Sequence, residues 1–138
     1  MPSYPIGAIE TFAYEKLSAV AAITTNYTLF NAKPSQDVEG KFIFFEVEGA
    51  QDRKVVGTTR IYADGILRVH VVGVRESTNL SLYAGIDEVY DALNNQQFSS
   101  NAYGEVLVCV HEQDIPLPYD TGADFTPRTI MEFRVLAN

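Results

Sequence analysis

The order of hydrophobic periodicities along the chain constrains its fold more than any single motif. A stripe of apolar residues at helical spacing comes first, then two stretches of strand character, then a second helical stripe and two more strands. Ile9, Phe12, Ala13, Leu17, Val20 and Ala21 recur at intervals of three, four, seven and eight, which predicts one amphipathic helix over Ile9–Ile23. Thr24, Thr25 and Asn26 are poor helix formers and mark its end. Pro34 forces the residue before it into an extended conformation, so 32–35 is a break.

Lys41–Glu48 is dense in aromatic and β-branched residues and reads as a strand. Ile43, Phe45 and Val47 form its cleaner core face; Phe42, Phe44, Glu46 and Glu48 form the other. Both faces are apolar at the start, so that end of the strand is expected to be covered on two sides, by a helix or by a neighbouring subunit. The stretch 49–64 mixes Arg53, Lys54 and Arg60 with an apolar pair, and is expected to be a projecting hairpin or loop. Ile66–Val74 is the strongest strand, with Leu67, Val69 and Val71 alternating against Arg68, His70 and Val72.

Ser77, Thr78 and Asn79 offer cap candidates for a second helix ending near Leu93, whose stripe is Leu82, Ile86, Val89, Tyr90 and Leu93. Glu76, Asp87, Glu88 and Asp91 make its exposed side acidic. Tyr103–His111 is the third expected strand, with Val106, Val108 and Val110 on one face and Leu107 and Cys109 on the other. A turn-rich connection, Asp114–Pro127, precedes a fourth strand with Met131, Phe133 and Val135 facing the core. The expected architecture is therefore α+β: an antiparallel sheet of four or more strands, two helices on one face, in the order α-β-β-α-β-β and in one domain over 1–138. Arg68, His70, Arg128, Glu132 and Arg134 would lie on the uncovered face.

Composition narrows the function. A net charge of −8 argues against specific nucleic-acid binding, because phosphate contacts need a basic surface. No apolar run approaches the ~20 residues of a membrane-spanning helix, and Met1–Tyr4 lacks a signal-peptide layout. A soluble protein made in a cytoplasm is the expectation. Cys109 is the only cysteine, so no intramolecular disulfide can form; its apolar surroundings suit core packing. The chain has two histidines, His70 and His111, not at the i, i+4 spacing of a zinc-protease helix. His111-Glu112-Gln113-Asp114 could in principle hold a metal, but a satisfied surface histidine is the simpler reading. No phosphate loop, nucleophile elbow or dinucleotide fingerprint is present. No cofactor, no metal and no enzymatic activity are expected.

The second half carries a resemblance. Ile66–Val74 leads into the helix bearing Ala84, Ile86, Val89 and Leu93; a strand follows, then Pro118-Tyr119-Asp120-Thr121-Gly122, then Arg128 and an alternating strand ending Phe133-Arg134-Val135. This succession resembles the tail-completion family of long-tailed bacteriophages, which includes tail terminators and head–tail joining proteins. The first half agrees through its helix, Pro34, and Phe44-Phe45-Glu46-Val47-Glu48-Gly49 at the first strand, while 49–64 is long for the family.

The resemblance implies a virion protein of the tail or neck, assembled in the host cytoplasm. It would close into a ring, commonly of six, on the tail tube and contact the tube protein and the neck or connector proteins. Heterologous contacts between copies and free strand edges would suit such a ring. Charge segregation suggests the acidic helix residues Asp87, Glu88 and Asp91 facing Arg53, Lys54 or Arg60 of the next subunit. Tyr119 and Arg128, in and after the proline-rich connection, are further interface candidates. Two alternatives remain: another head–tail adaptor or tube subunit, and a small-ligand-binding domain with Tyr83, Tyr90 and Phe44 lining a cavity between sheet and helices.

Overall fold

The protein is described here by a computed structural model, which covers residues 5–34, 40–54, 60–74, 79–101, 104–120 and 125–138. Its elements are α1 (Pro5–Ser18), α2 (Ala21–Asn26), β1 (Thr28–Phe30), β2 (Phe42–Lys54), β3 (Arg60–Val72), α3 (Leu80–Leu93), β4 (Phe98–Asn101), β5 (Gly104–Pro116), β6 (Tyr119–Asp120), β7 (Phe125–Thr126) and β8 (Arg128–Ala137). Six strands form one sheet in the order β1-β2-β3-β8-β5-β4, and β6 and β7 form a separate small ladder.

The four long strands β2, β3, β5 and β8 are the four expected from the sequence, and they pair antiparallel. The short strands were not expected. β1 adds to β2 in parallel, and β4 pairs with β5 at the opposite edge. The sheet thus has six strands and a mixed ladder, where four antiparallel strands were the minimum expectation.

The first expected helix is two helices. Val20 adopts φ −90°, ψ 113°, an extended conformation that ends α1 and lets the chain turn into α2. Ala8, Ile9, Phe12, Ala13, Leu17 and Ile23 are buried as their spacing demands, whereas Ala21 is exposed on the far side of the break. A stripe continued through a kink looks continuous in one dimension, which is why the sequence showed one helix.

The projecting stretch at 49–64 is, in its described part, a continuation of the β2–β3 hairpin. Register partners run from Phe42↔Val72 through Asp52↔Ala63 to Lys54↔Arg60, with irregularities at Val47/Gly49 and Arg53/Lys54. Since β8 pairs with β3 only from Ala63 onward, the last pairs of the hairpin extend past β8. Residues 55–59 lie outside the described residues.

β5 likewise runs beyond His111 to Pro116, so the connection expected at 114–127 begins as strand and then holds β6 and β7. Its alternation also breaks. A register shift between Val106 and Val108 places Val106 and Cys109 in the core together, leaving Leu107 and Val110 exposed. A β-bulge adds one residue to one strand and so inverts the pattern beyond it.

The main core lies between the helices and one sheet face. α1 supplies Ile9, Phe12 and Leu17, α3 supplies Leu82, Val89 and Leu93, and the strands supply Ile43, Phe45, Leu67, Val69, Val71, Met131, Phe133 and Val135. α3 approaches closely at Gly85. A Cβ there would lie 2.7 Å from the Tyr27 hydroxyl and 2.9 Å from Val71 Cγ1, and the Tyr27 hydroxyl itself donates to the Ser81 carbonyl. Asn79 caps α3 in the left-handed region, φ 54°, without a side-chain cap hydrogen bond; the other cap candidates, Ser77 and Thr78, lie outside the described residues.

Candidate functional site

The face of the sheet turned away from the helices carries the densest polar chemistry. Successive residues of a strand point to opposite faces, so Glu48, Arg68 and Glu132 emerge beside one another from β2, β3 and β8. Arg68 Nη2 lies 2.7 Å from Glu48 Oε2 and its Nε donates to Glu132 Oε2 at 2.6 Å. Gln113 Nε2 on β5 donates to the other oxygen, Glu132 Oε1. Four strands are thereby tied in one row. The hydrogen bonds from Gln113 and Arg68 hold the Glu132 carboxyl below its ordinary range, and the Glu132 bond raises Arg68.

A second pair sits beside the row: Arg134 bonds Asp64 through Nε at 3.0 Å and Nη2 at 2.5 Å. An open depression of about 480 Å³ lies between them, lined by Ile66, Glu112, Gln113, Glu132, Phe133 and Arg134. Glu132 is already bonded to Arg68 and Gln113, and Arg134 to Asp64, so the charged groups of this lining that are paired within the described residues leave little to converge on a ligand there.

At the β1–β2 end the same face turns apolar. Phe42, Phe44 and Val72 are buried there with Phe30 against them, as the doubly apolar start of that strand predicted. His70 stacks on Phe44 with ring centroids 4.2 Å apart and a 12° interplanar angle. Its Nε2 is 3.0 Å from Glu46 Oε1, while its buried Nδ1 has no hydrogen-bond partner. Burial pushes the His70 pKa down, and Glu46 only partly offsets this.

His111, expected as a surface residue, is half-buried on the helix-covered face, 5.3 Å from the Tyr90 ring and 5.4 Å from the Phe133 ring. Its Nε2 lies 2.7 Å from Asp114 Oδ1. Among the described residues no group of His, Cys, Asp and Glu could hold a metal ion. Cys109 is buried, and burial alone pushes its thiol up to about 12; it packs in the core as expected.

The other surface of interest is α3. Leu80, Tyr83 and Tyr90 are 68%, 55% and 41% exposed, and Asp87 and Asp91 are exposed on the same side, with Glu88 half-buried. Exposed positions 80, 83, 84, 87, 90 and 91 follow helical spacing; Tyr90, expected in the buried stripe, stands at the border of this one, its ring edge-on to His111 and its hydroxyl accepting from Asn94 Nδ2 at 3.0 Å.

The eight interface candidates separate into three groups. Asp87, Glu88 and Asp91 come together on α3. Arg53, Lys54 and Arg60 come together at the end of the β2–β3 hairpin by backbone register. Tyr119 pairs with Thr126 in the small ladder, and Arg128 opens β8, its Nε donating to the Leu117 carbonyl at 3.0 Å. The aromatic lining proposed for a ligand cavity does not assemble: Phe44 is buried on the open sheet face, whereas Tyr83 and Tyr90 are exposed on α3, across the sheet.

The polar row escaped sequence reading as a network. Alternation placed Arg68 and Glu132 on the open face, but only the register Arg68↔Glu132 makes them partners. Glu48 and Gln113 join through bulged strands whose offsets no periodicity reveals. Leu80 was missed because it stands before the buried stripe.

No family model and no curated protein matches the chain. Solved structures do. A chain from the virion of a native gene transfer agent particle aligns over 99% of this chain and 100% of its own length, at 16% identity and a TM-score of 0.71. A second solved chain aligns over 95% and 91%, also at 16% identity, with a TM-score of 0.58. At this identity the likeness is one of fold.

Proposed function

We propose that the chain is a structural protein of a phage-like virion, forming a ring that ends the tail tube and joins it to the head. The observation that carries this reading is the end-to-end correspondence with a chain of a gene transfer agent virion, with 99% of one chain laid over 100% of the other. A shared fold by itself does not fix function, and three further features support the choice. The sequence resembles the tail-completion family in the order and character of its second half. The polar groups of the open sheet face are tied to one another, which is an arrangement for stiffness rather than for turnover. The sheet also ends in short strands, β1 and β4, whose outer backbone groups suit pairing with another chain.

In this role the partners are further copies of the chain, the tail-tube protein and the neck or connector proteins, with the virion tail or neck as its place. Native mass by light scattering over a tenfold concentration range tests the reading. A discrete species of about six copies that binds the end of purified tail tubes is expected. Open-ended growth would identify a tube subunit instead, and a protein that stays monomeric and is not captured by tubes would overturn the ring.

A further inference from the structure

We propose that His70 is an acid-sensitive latch on the β1–β2 edge of the sheet, holding that edge closed while its imidazole is neutral and releasing it when the ring takes a second proton. The inference rests on the packing of a single chain and is independent of the ring reading above. His70 lies on the open sheet face, between Phe44 of β2 and Ile130 of β8 by register. It is 6% exposed, a polar ring inside an apolar corner.

The geometry shows where the second proton goes. Nε2 is 3.0 Å from Glu46 Oε1, and an ionised carboxylate only accepts, so Nε2 carries the hydrogen of the neutral ring. Nδ1 is then a bare lone pair, buried and without a hydrogen-bond partner. A second proton must enter at Nδ1. It creates a buried N–H with no acceptor and places a positive charge in an apolar corner, and both changes are costly away from water.

The surrounding charges do not remove that cost. Among the described residues, Glu46 on β2 favours the cation, while Arg128 on β8 and Arg68 on β3 oppose it. The Glu46 side chain is 50% exposed, and water screens its attraction. Stacking on Phe44 also favours a cation, yet it leaves Nδ1 unfilled. Burial outweighs the rest and acts against the charge. The charged ring is accommodated by letting water reach Nδ1, and that requires the aromatic corner to move.

The corner is one connected stack that ends in β1. Phe30 meets Phe42 edge-on at 6.1 Å, Phe42 stacks on Phe44 at 6.1 Å, and Phe44 stacks on His70 at 4.2 Å. Phe30 belongs to β1, a three-residue strand at the edge of the sheet, paired in parallel with 42–44. Parallel pairs are slightly the weaker kind, and a short edge element is where local opening comes cheapest. Displacing His70 therefore reaches β1 before it reaches the four long strands. Release of β1 bares backbone groups of β2 beside Phe42 and Phe44, an edge able to pair with another chain.

Hydrogen exchange tests this, read as protection factors so that the pH dependence of the intrinsic rate cancels. Measurements run from about pH 8 to about pH 5, on either side of the ordinary histidine value of about 6.5. In the wild type, protection at 28–30 and 42–44 is expected to fall at least tenfold more, roughly, than protection in β8. His70→Phe keeps a ring on Phe44 but takes no proton, and should abolish that excess. Glu46→Gln keeps an acceptor for Nε2 and removes the charge that favours the cation, so the fall should move to lower pH. If β1 and β8 lose protection together, or if His70→Phe opens as the wild type does, the latch is overturned. Should His70→Phe fail to fold, Glu46→Gln decides: a midpoint that stays in place or rises overturns the latch.

Discussion

The two faces of one sheet are held by different physics. Toward the helices, Phe12, Leu17, Phe45, Leu67, Met131 and Phe133 are buried to 1% exposure or less, and shape and volume do the holding. Away from them, the centre of the sheet is crossed by Glu48, Arg68, Glu132 and Gln113, linked side chain to side chain over β2, β3, β8 and β5. The helix-covered face needs α1, α2 and α3 in place to be stable in water. The polar row needs only the strands, and it fixes their register, because each partner is defined by the residue opposite or one step along. A fold built this way can keep the centre of its open face stiff without a cover.

The largest effect should come from the helix-covered face. Phe12→Ala removes a fully buried ring and is expected to cost about 3–5 kcal/mol, measured by urea unfolding. A cost near that of a surface change would erase the contrast between the faces. Next comes Gly85→Ala. Alanine favours the helix by up to ~1 kcal/mol, but its Cβ would sit 2.7 Å from the Tyr27 hydroxyl and 2.9 Å from Val71 Cγ1. Overpacking of this kind costs typically ~1–3 kcal/mol, so a net loss of stability is expected; a gain would mean that Tyr27 yields freely.

The smallest effect sharpens the comparison on the open face. The lowered pKa of His70 arises first from burial, so the unfolded chain binds that proton more tightly than the folded one. Its contribution to stability is therefore intact above the ordinary histidine value of about 6.5 and is lost as pH falls through that value toward the folded one. Glu132, also lowered, loses its contribution at lower pH, as the solution falls through the ordinary glutamate range. Thermal unfolding midpoints of the wild type and His70→Gln, read across both windows, should diverge in slope only in the upper one. Equal slopes there would assign the acid response to carboxylates alone.

Much of this was legible in one dimension. The four long strands, the buried stripe of Ile9–Leu17, the buried Leu82, Val89 and Leu93 of α3 (though not Tyr90, which the same stripe included and which is exposed), and the alternation of Leu67, Val69 and Val71 against Arg68 and His70 are local patterns, and local patterns survive in sequence. The acidic side of α3 and the basic run at Arg53 and Lys54 were legible for the same reason. What failed was whatever depended on an offset. The break at Val20 hides inside a continuous stripe, and the shift between Val106 and Val108 inverts β5 beyond it. β1 and β4 are too short to carry a period of their own.

Which side of each long element is apolar is written in the chain alone, because burial of those side chains is the main driving force for folding and must recur at the spacing of the element. The sequence also makes the chain acidic, with ten basic residues against eighteen acidic ones. That Glu132 joins Arg68 to Gln113, that Tyr27 rests over Gly85, and that Phe44 and Tyr90 lie on opposite sides of the sheet emerges only on folding. Those facts depend on strand order and register, which arise when segments distant in the chain meet, and a residue's neighbours across a ladder are set by the pairing of strands rather than by its neighbours in sequence.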